Sequence, residues 1–377
     1  LYESGSDLPL IPASTLKLLT GTAAVERLGA DARLRTSVRV DGQPEDGVVS
    51  DLWFVGGGDP VLGTADWVAS FDHQPVLVTP LETLADAVVA AGITEVEGSL
   101  LGDDSRYDGV RAVPTWPARY STSGSIGPLS ALTVNDGYAR FGIGAEPFAD
   151  PAAGAAEVLA GLLRARGVVV GGTGTGVAPE GTSEVAGIDS PTVGKLVAGM
   201  VLESDNGTAE LLTKELGLRV SGEASTAAGT SAVLGLAAER GLPTEGSFLV
   251  DGSGLDLGNR LTCELLGELL VGSEPGGPLD DGLAVAAVTG TLAERFVGTA
   301  LAGRVRAKTG SLLAVASLAG FAQTATGTDL TFAYVLNGID ATEASVGLQR
   351  RLGELLVAHP DTDLAALGPA GAVASPE

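Results

Sequence analysis

The sequence predicts a mixed α/β chain of the α+β kind, in which an antiparallel sheet is covered by helices. Three observations predict it. The runs "GRVRAKTG" (303–310), "AVASLAGFAQT" (314–324) and "LTFAYVLNG" (330–338) are strand-like, joined by short turns, and lead into a helical pattern near 342–358. That order reads as an antiparallel meander packed beneath a helix. From about 190 onward the chain otherwise holds alanine- and leucine-rich helical segments, whereas the part before 190 alternates short strands with helices.

Taken in order, residues 12–29 read as a helix: Pro12 suits the first turn, Leu16, Leu19, Ala23 and Leu28 recur at helical spacing, and Gly29 terminates it. "RLRTSVRV" (33–40) and "DLWFVGGGDP" (51–60) read as strands separated by the acidic turn "DGQPEDG". The helix "LETLADAVVAAG" and the strand "TEVEGSLLGDD" follow, then an irregular region over 103–130 that contains Trp116 and "YSTSGSIGP". "AAGAAEVLAGLLRARG" (152–167) is a helix ahead of the strands "VVVGG" and "SEVAGI". The helices "PTVGKLVAGMVL", "TAELLTKELG" and "TCELLGELLVG" lead to the meander, and the tail "AALGPAGAVASPE" reads as a flexible terminus.

A chain of 377 residues, 45% hydrophobic with 55 glycines, fits a globular protein rich in turns and made of two or more domains. Its net charge of −25 argues against non-specific binding to nucleic acid or to anionic membranes, which needs excess Lys and Arg. One cysteine, Cys263, excludes an intramolecular disulfide, and the isolated His73 and His359 leave no cluster for zinc, so neither metal nor cofactor is expected. No uninterrupted apolar run is long enough to span a membrane. The chain begins with Leu1 rather than Met, so any signal peptide is expected to have been removed. Gly56 to Gly58 lack the Lys-Ser/Thr of a phosphate loop and read as a tight turn; "DGSGL" at 251–255 also reads as a turn, Trp53 and Trp67 as core or interface residues, and the histidines as surface.

Chemistry enters at "LIPASTLKLLTG" (10–21). Ser14 and Lys17 are three residues apart, on one helix face, so Oγ and Nζ can meet. Serine needs a base to become a nucleophile. Lysine can be that base only if burial or a neighbouring cation lowers its pKa. Alone, the Ser-x-x-Lys match is cheap. "ESDNG" (203–207) presents Ser204 and Asn206, and by itself reads as a capped helix end. "AKTGS" (307–311) places Lys308, Thr309, Gly310 and Ser311 on a strand, and by itself reads as an edge strand with a bend. Together and in this order they are Ser-x-x-Lys, Ser-x-Asn and Lys-Thr-Gly, a set using two of four lysines and one of four asparagines. Coincidence is a poor account of that.

The triplet is that of penicillin-binding proteins and class A β-lactamases. More narrowly the chain resembles the D-alanyl-D-alanine carboxypeptidase/endopeptidase family of low-molecular-mass, class C penicillin-binding proteins (peptidase family S13) in its actinobacterial form. "PASTLKLLT", "GGGDPVL" (56–62), "PLSALTVNDG" (128–137), "DGSGLDLGNRLT" (251–262), "GTLAERF" (290–296) and "AKTGSLLAVASLAGF" (307–321) carry the resemblance over nearly the whole chain. It implies a penicillin-binding-protein/serine β-lactamase-like transpeptidase fold: an antiparallel sheet flanked by helices, a helical subdomain and an inserted smaller β-rich module. The 190 positions between Ser14 and Ser204 leave room for that insertion. The expected division is a catalytic domain over 1–35 and 150–377 and a module over 36–149, reduced in size because only about fifteen residues separate "SALTVN" from the helix at 152. The resemblance also implies an N-terminal segment with a helix and strands of the central sheet ahead of "LYESGSDLPLIPAS".

By the same resemblance, Ser14, deprotonated by Lys17, attacks a D-Ala-D-Ala bond of a peptidoglycan stem peptide, or a D-Ala-diaminopimelate cross-link, and water hydrolyses the acyl-enzyme. Ser204 relays a proton to the leaving amine, Asn206 binds substrate amide and positions Lys17, and Lys308 lowers the Lys17 pKa and, with Thr309, binds the terminal carboxylate. Ser14 and Ser311 N–H groups form the oxyanion hole, and Gly310 lets the strand approach substrate. β-Lactams are the expected covalent inhibitors, and an extracytoplasmic location follows from the substrate. One rival is a β-lactamase or esterase on the same fold, but the deacylating glutamate loop of the commonest lactamases is not found near the Ser-x-Asn segment. Another is an idle binding scaffold, which has no reason to keep Ser14, Lys17, Ser204, Asn206, Lys308 and Thr309 together.

Overall fold

The computed structural model of the chain describes residues 2–360 apart from 73, 142–143 and 340–342. The tail at 365–377 and His73 therefore lie outside the described residues. Numbering the longer elements in chain order, a 3-10 turn over Ala13–Thr15 runs directly into α1 (Leu16–Leu28). Gly29 closes α1 at φ +95°, its N–H donating to the Val25 carbonyl. Leu16, Leu18, Leu19, Ala23 and Ala24 are all fully buried, as are Lys17 and Thr20, so the first two turns of this helix are enclosed on nearly every side. Such a helix belongs in the middle of a core, not on a surface.

Around α1 pack α4 (Val193–Glu203), α5 (Asn206–Ser221), α6 (Thr226–Glu239) and α7 (Cys263–Val271). Of these, α6 is not legible in the sequence, because "TAAGTSAVLGLAAE" is so uniformly small and apolar that it shows no helical stripe. Against α7 and the 3-10 turn lies the meander: β8 (Val305–Leu312), β9 (Val315–Gln323) and β10 (Asp329–Asn337), antiparallel throughout, with a short strand, β7 (Ala284–Val285), on the far side of β8. The last helix, α8 (Glu343–Val357), packs on β9 as expected.

The chain before 190 builds a second core. Among the described residues a six-stranded sheet forms from β1 (Arg35–Val40), β2 (Val48–Val49), β3 (Leu52–Val55), β4 (Glu95–Asp103), β5 (Val169–Thr175) and β6 (Ser183–Asp189). β3, β4 and β5 run parallel, so each step needs a crossover, supplied by α2 (Leu81–Ala90) and α3 (Pro151–Arg164). Ala155, Leu159 and Leu163 of α3 are fully buried in this core and not in the one around α1. The packing therefore does not break at 149: α3, β5 and β6, expected in the catalytic part, belong to the second sheet because the parallel β4–α3–β5 crossover needs them. The chain enters and leaves it at one neck, where Ser190 N donates to the Leu34 carbonyl and Leu34 N to Ser190 Oγ, both at 2.9 Å. Trp53 and Trp67 are core residues as expected, whereas Gly56 to Gly58 form no tight turn: Gly56 N and Gly58 N donate to the Asp103 and Ala131 carbonyls, and the turn falls after them, at 60–61.

The irregular region over 103–130 joins the two cores. Arg106 and Tyr107 both donate to Glu215 on α5, Asp108 pairs with the buried Lys214 of the same helix, and Tyr120 OH donates to the Leu255 carbonyl at 3.3 Å. A segment whose regular structure is limited to one helical turn, Arg119–Thr122, is thus held mainly by side-chain bonds to α5.

Candidate active site

Ser14 sits in the 3-10 turn ahead of α1, one residue after Ala13, which adopts φ +49°. A left-handed alanine is strained, and it persists because Ala13 is fully buried and its carbonyl is packed against Gly254. The segment just before it is clamped: Asn337 at the end of β10 accepts from Ile11 N at 2.8 Å and donates to the Ile11 carbonyl at 3.1 Å. Ser317 Oγ donates to the Pro12 carbonyl at 2.7 Å. Strand β8 comes so close that a Cβ on Gly310 would lie 2.1 Å from Ser317 Oγ, 2.9 Å from Ser14 N and 3.0 Å from the Pro12 carbonyl oxygen. Only glycine fits at this crossing.

Lys17, fully buried one turn along α1, brings its Nζ to 3.1 Å from Ser14 Oγ, 2.7 Å from Asn206 Oδ1 and 2.6 Å from the Ser253 carbonyl oxygen. Asn206, the first residue of α5, is fixed from its other end, its Nδ2 donating to the Ser125 carbonyl at 2.8 Å. Ser204, at the C-cap of α4 with φ +61°, is partly exposed, and its hydroxyl bonds no described residue. Lys308 is fully buried on β8 and donates to the Thr309 carbonyl at 2.9 Å, while Thr309 Oγ1 donates to Thr291 Oγ1 at 2.8 Å. Ser311, the next residue but one, is exposed.

Burial pushes the Lys17 ammonium down to about 8, against the carboxylates of Asp205, Asp251 and Glu210, which hold it up. Lys308 is driven well below the ordinary lysine value, first by burial and then by the charges of Lys17 and Arg295. The resemblance credits Lys308 with lowering Lys17; the cause of the shift is desolvation, because Lys17 is fully buried in the core.

The structure thus brings Ser14, Lys17 and Asn206 into direct contact and sets Gly310 against the Ser14 backbone. The residues behind them are absent from the sequence prediction. The turn "DGSGL", plain in its sequence pattern, supplies the Ser253 carbonyl to Lys17, and Glu210, Asp251, Trp116 and Arg295 all act on the site from behind. A Glu and an Asp facing a lysine are visible in the composition of α5 and that turn, but only three-dimensional contact distinguishes them from surface charge.

A profile of the D-Ala-D-Ala carboxypeptidase 3 (S13) family matches residues 1–147 and 138–353. A carboxypeptidase of Mycobacterium tuberculosis is 32% identical over 89% of this chain and 73% of its own length. A D-alanyl-D-alanine carboxypeptidase of Actinomadura sp. is 30% identical over 90% of this chain and 75% of its own. Among solved structures, penicillin-binding protein 4 of Haemophilus influenzae superposes with a TM-score of 0.78, at 20% identity, covering 94% of this chain and 93% of that one; its complex with a β-lactam superposes at 0.71. The last similarity establishes the fold, and the sequence matches establish the rest: the chain belongs to the D-Ala-D-Ala carboxypeptidase 3 (S13) family and is a serine-type DD-carboxypeptidase.

Proposed function

We propose that Ser14 is the nucleophile and Lys17 the general base of this DD-peptidase. The supporting observation is the three-partner geometry at Lys17 Nζ. Asn206 Oδ1 and the Ser253 carbonyl oxygen can only accept, so in the neutral amine they take its two N–H groups. The lone pair is left for the third partner, Ser14 Oγ–H. A base oriented in this way draws the proton from Ser14 as Oγ attacks the carbonyl carbon of the D-Ala-D-Ala bond.

The oxyanion that forms faces the N-terminal turn of α1, where Ser14 N has no intrahelical acceptor, and the adjoining end of β8 at Ser311. Ser204 passes the proton to the departing D-Ala amine, and water hydrolyses the ester. Thr309, with the charge of Lys308 and of Arg295 behind it, receives the substrate's terminal carboxylate. Cleavage of D-Ala-diaminopimelate cross-links belongs to the same reading, since the bond attacked is of the same kind. β-Lactams acylate Ser14, in keeping with the complex formed by the Haemophilus protein. The catalytic domain comprises residues before Leu34 and after Ser190, and an extracytoplasmic location follows from the substrate. No described helix is long and apolar enough to cross a membrane.

A fluorescent penicillin tests the assignment. Wild-type protein is expected to form a stable covalent adduct that Ser14→Ala abolishes and Lys17→Ala reduces below detection. Labelling that survives Ser14→Ala refutes the nucleophile, and rapid turnover of the penicillin assigns a lactamase instead.

A further inference from the structure

Glu210 lies on α5 one turn after Asn206 and is fully buried. Its Oε1 accepts from Gly252 N at 3.0 Å and from Ser253 N at 2.7 Å. Its Oε2 is buried with no hydrogen-bond partner among the described residues. The peptide it pins belongs to the residue whose carbonyl accepts from Lys17 Nζ. A short chain of bonds therefore runs from Glu210 through the Ser253 backbone to the base.

We propose that Glu210 is a positioning residue for acylation: Oε1 fixes the turn whose carbonyl aims the Lys17 lone pair at Ser14, and Oε2 carries a proton that keeps the carboxyl neutral. The inference rests on the assignment of Lys17 as base. A buried carboxylate oxygen without a donor is costly, and protonation lowers that cost because an unpaired neutral group is cheaper to bury than an unpaired charge. Neutrality also matters to the base, because an ionised Glu210 would hold Lys17 as ammonium.

The groups that face this pair are few. Asp251 lies on the turn opposite, Lys17 on α1, and Asp205 at the start of α5 faces Lys17. Asp251 is the largest charge acting on Glu210, and its oxygens accept from Gly254 N, Asn259 Nδ2, Asp256 N and Trp116 Nε1. With its negative form so well bonded, Asp251 is the member of the pair to stay ionised, and it repels a second charge at Glu210. In agreement, burial and then Asp251 push Glu210 up to about 8. The Gly252 carbonyl is held as well, by Thr20 Oγ1 at 2.8 Å, so the turn is anchored on both sides and Glu210 controls its N–H face.

The test measures penicillin acylation from pH 5 to 10 for Glu210→Ala and Glu210→Gln beside Ser14→Ala. Glu210→Ala frees the Ser253 peptide and is expected to slow the acylation step by about 100-fold, the cost of a misplacement of about 1 Å, while the preceding non-covalent binding constant stays within about threefold. Glu210→Gln is the isostere of the protonated acid and is expected to recover most of that loss, with the acid limb of the profile at its wild-type pH. Equal acylation by Glu210→Ala and wild type overturns the positioning role. A glutamine variant as slow as the alanine variant, or one whose acid limb moves down in pH, overturns the neutral state and shows that Glu210 acts as an anion. Should the alanine variant not fold, the glutamine profile decides alone. Labelling that persists in Ser14→Ala refutes the underlying assignment instead, so the two failures are distinct.

Discussion

Substitution of Gly310 by alanine probes the crossing of β8 and the nucleophile turn most directly. The added Cβ would sit 2.1 Å from Ser317 Oγ and 2.9 Å from Ser14 N, where ordinary contact begins near 3.4 Å. The serine oxygen must then retreat by about 1.3 Å and the Ser14 backbone by about 0.5 Å, which overpacks a filled core. Ser317 Oγ cannot simply rotate away, because it donates to the Pro12 carbonyl at 2.7 Å in a buried position. We expect a loss of about 1–3 kcal/mol in stability, typical of overpacking. Acylation should fall between about tenfold and 100-fold, since both the nucleophile and an oxyanion donor move. Urea unfolding and fluorescent penicillin labelling read the two effects separately. Ser317→Ala in the Gly310→Ala background removes the 2.1 Å contact and leaves the two backbone contacts, at 2.9 and 3.0 Å. The double variant should regain most of the stability and little of the acylation rate. Full recovery of acylation by the double variant, or a wild-type rate in Gly310→Ala alone, would refute the reasoning that β8 sets the position of Ser14.

Three further predictions concern the base, the junction between the cores and an exposed ion pair. On the proposed assignment acylation needs Lys17 as free amine, so its rate should rise with pH up to about 8 and fall about tenfold per unit below it; a flat profile from pH 5 to 8 would exclude Lys17 as base. Asp108→Ala leaves the buried Lys214 ammonium with only the Val110 carbonyl at 2.9 Å, and should cost about 2–3 kcal/mol, the low side for a broken buried pair because Asp108 is 32% exposed. Arg140→Ala, which breaks a pair exposed at both ends, should cost less than about 1 kcal/mol in the same denaturant titration.

The parts of the molecule legible in its sequence are those governed by local rules. The start and end of α1, the three strands of the meander and the last helix each follow from periodicity, proline and glycine within a few residues. The three motifs are legible because rare lysines and asparagines stand at fixed spacing. The second sheet is less so: α3 looks the same in sequence whether it packs on β4 and β5 or on α1, and only the parallel pairing of β5 with β4 decides it. Long-range pairing also hides the role of the region over 103–130, whose Trp116 donates to Asp251 at 2.8 Å across 135 positions. Ser253 reads as part of an ordinary turn because its side chain has no base at motif spacing, while the atom that matters is its backbone oxygen. A backbone acceptor leaves no mark on sequence.

The remaining question is how a chain of net charge −25 keeps a lysine ready to lose its proton. From the sequence a second lysine nearby looks necessary, yet burial is what lowers Lys17, and it does so against three carboxyl groups facing the amine. Their hydrogen bonds limit the damage. Asp205 caps α5 by accepting from Thr208 N at 2.5 Å, and Asp251 holds its own turn through four donors. The backbone dipoles and N–H groups that stabilise those charges also offset the field they exert on Lys17. Glu210, the carboxyl with an oxygen left over, is pushed up to about 8 and, as proposed, avoids the conflict below that value by being neutral. Lys308 is then free to serve the substrate. Driven well below its ordinary value, it would, on the proposed assignment, gain charge most readily when an anion arrives, so that the substrate carboxylate itself completes the positive end of the site.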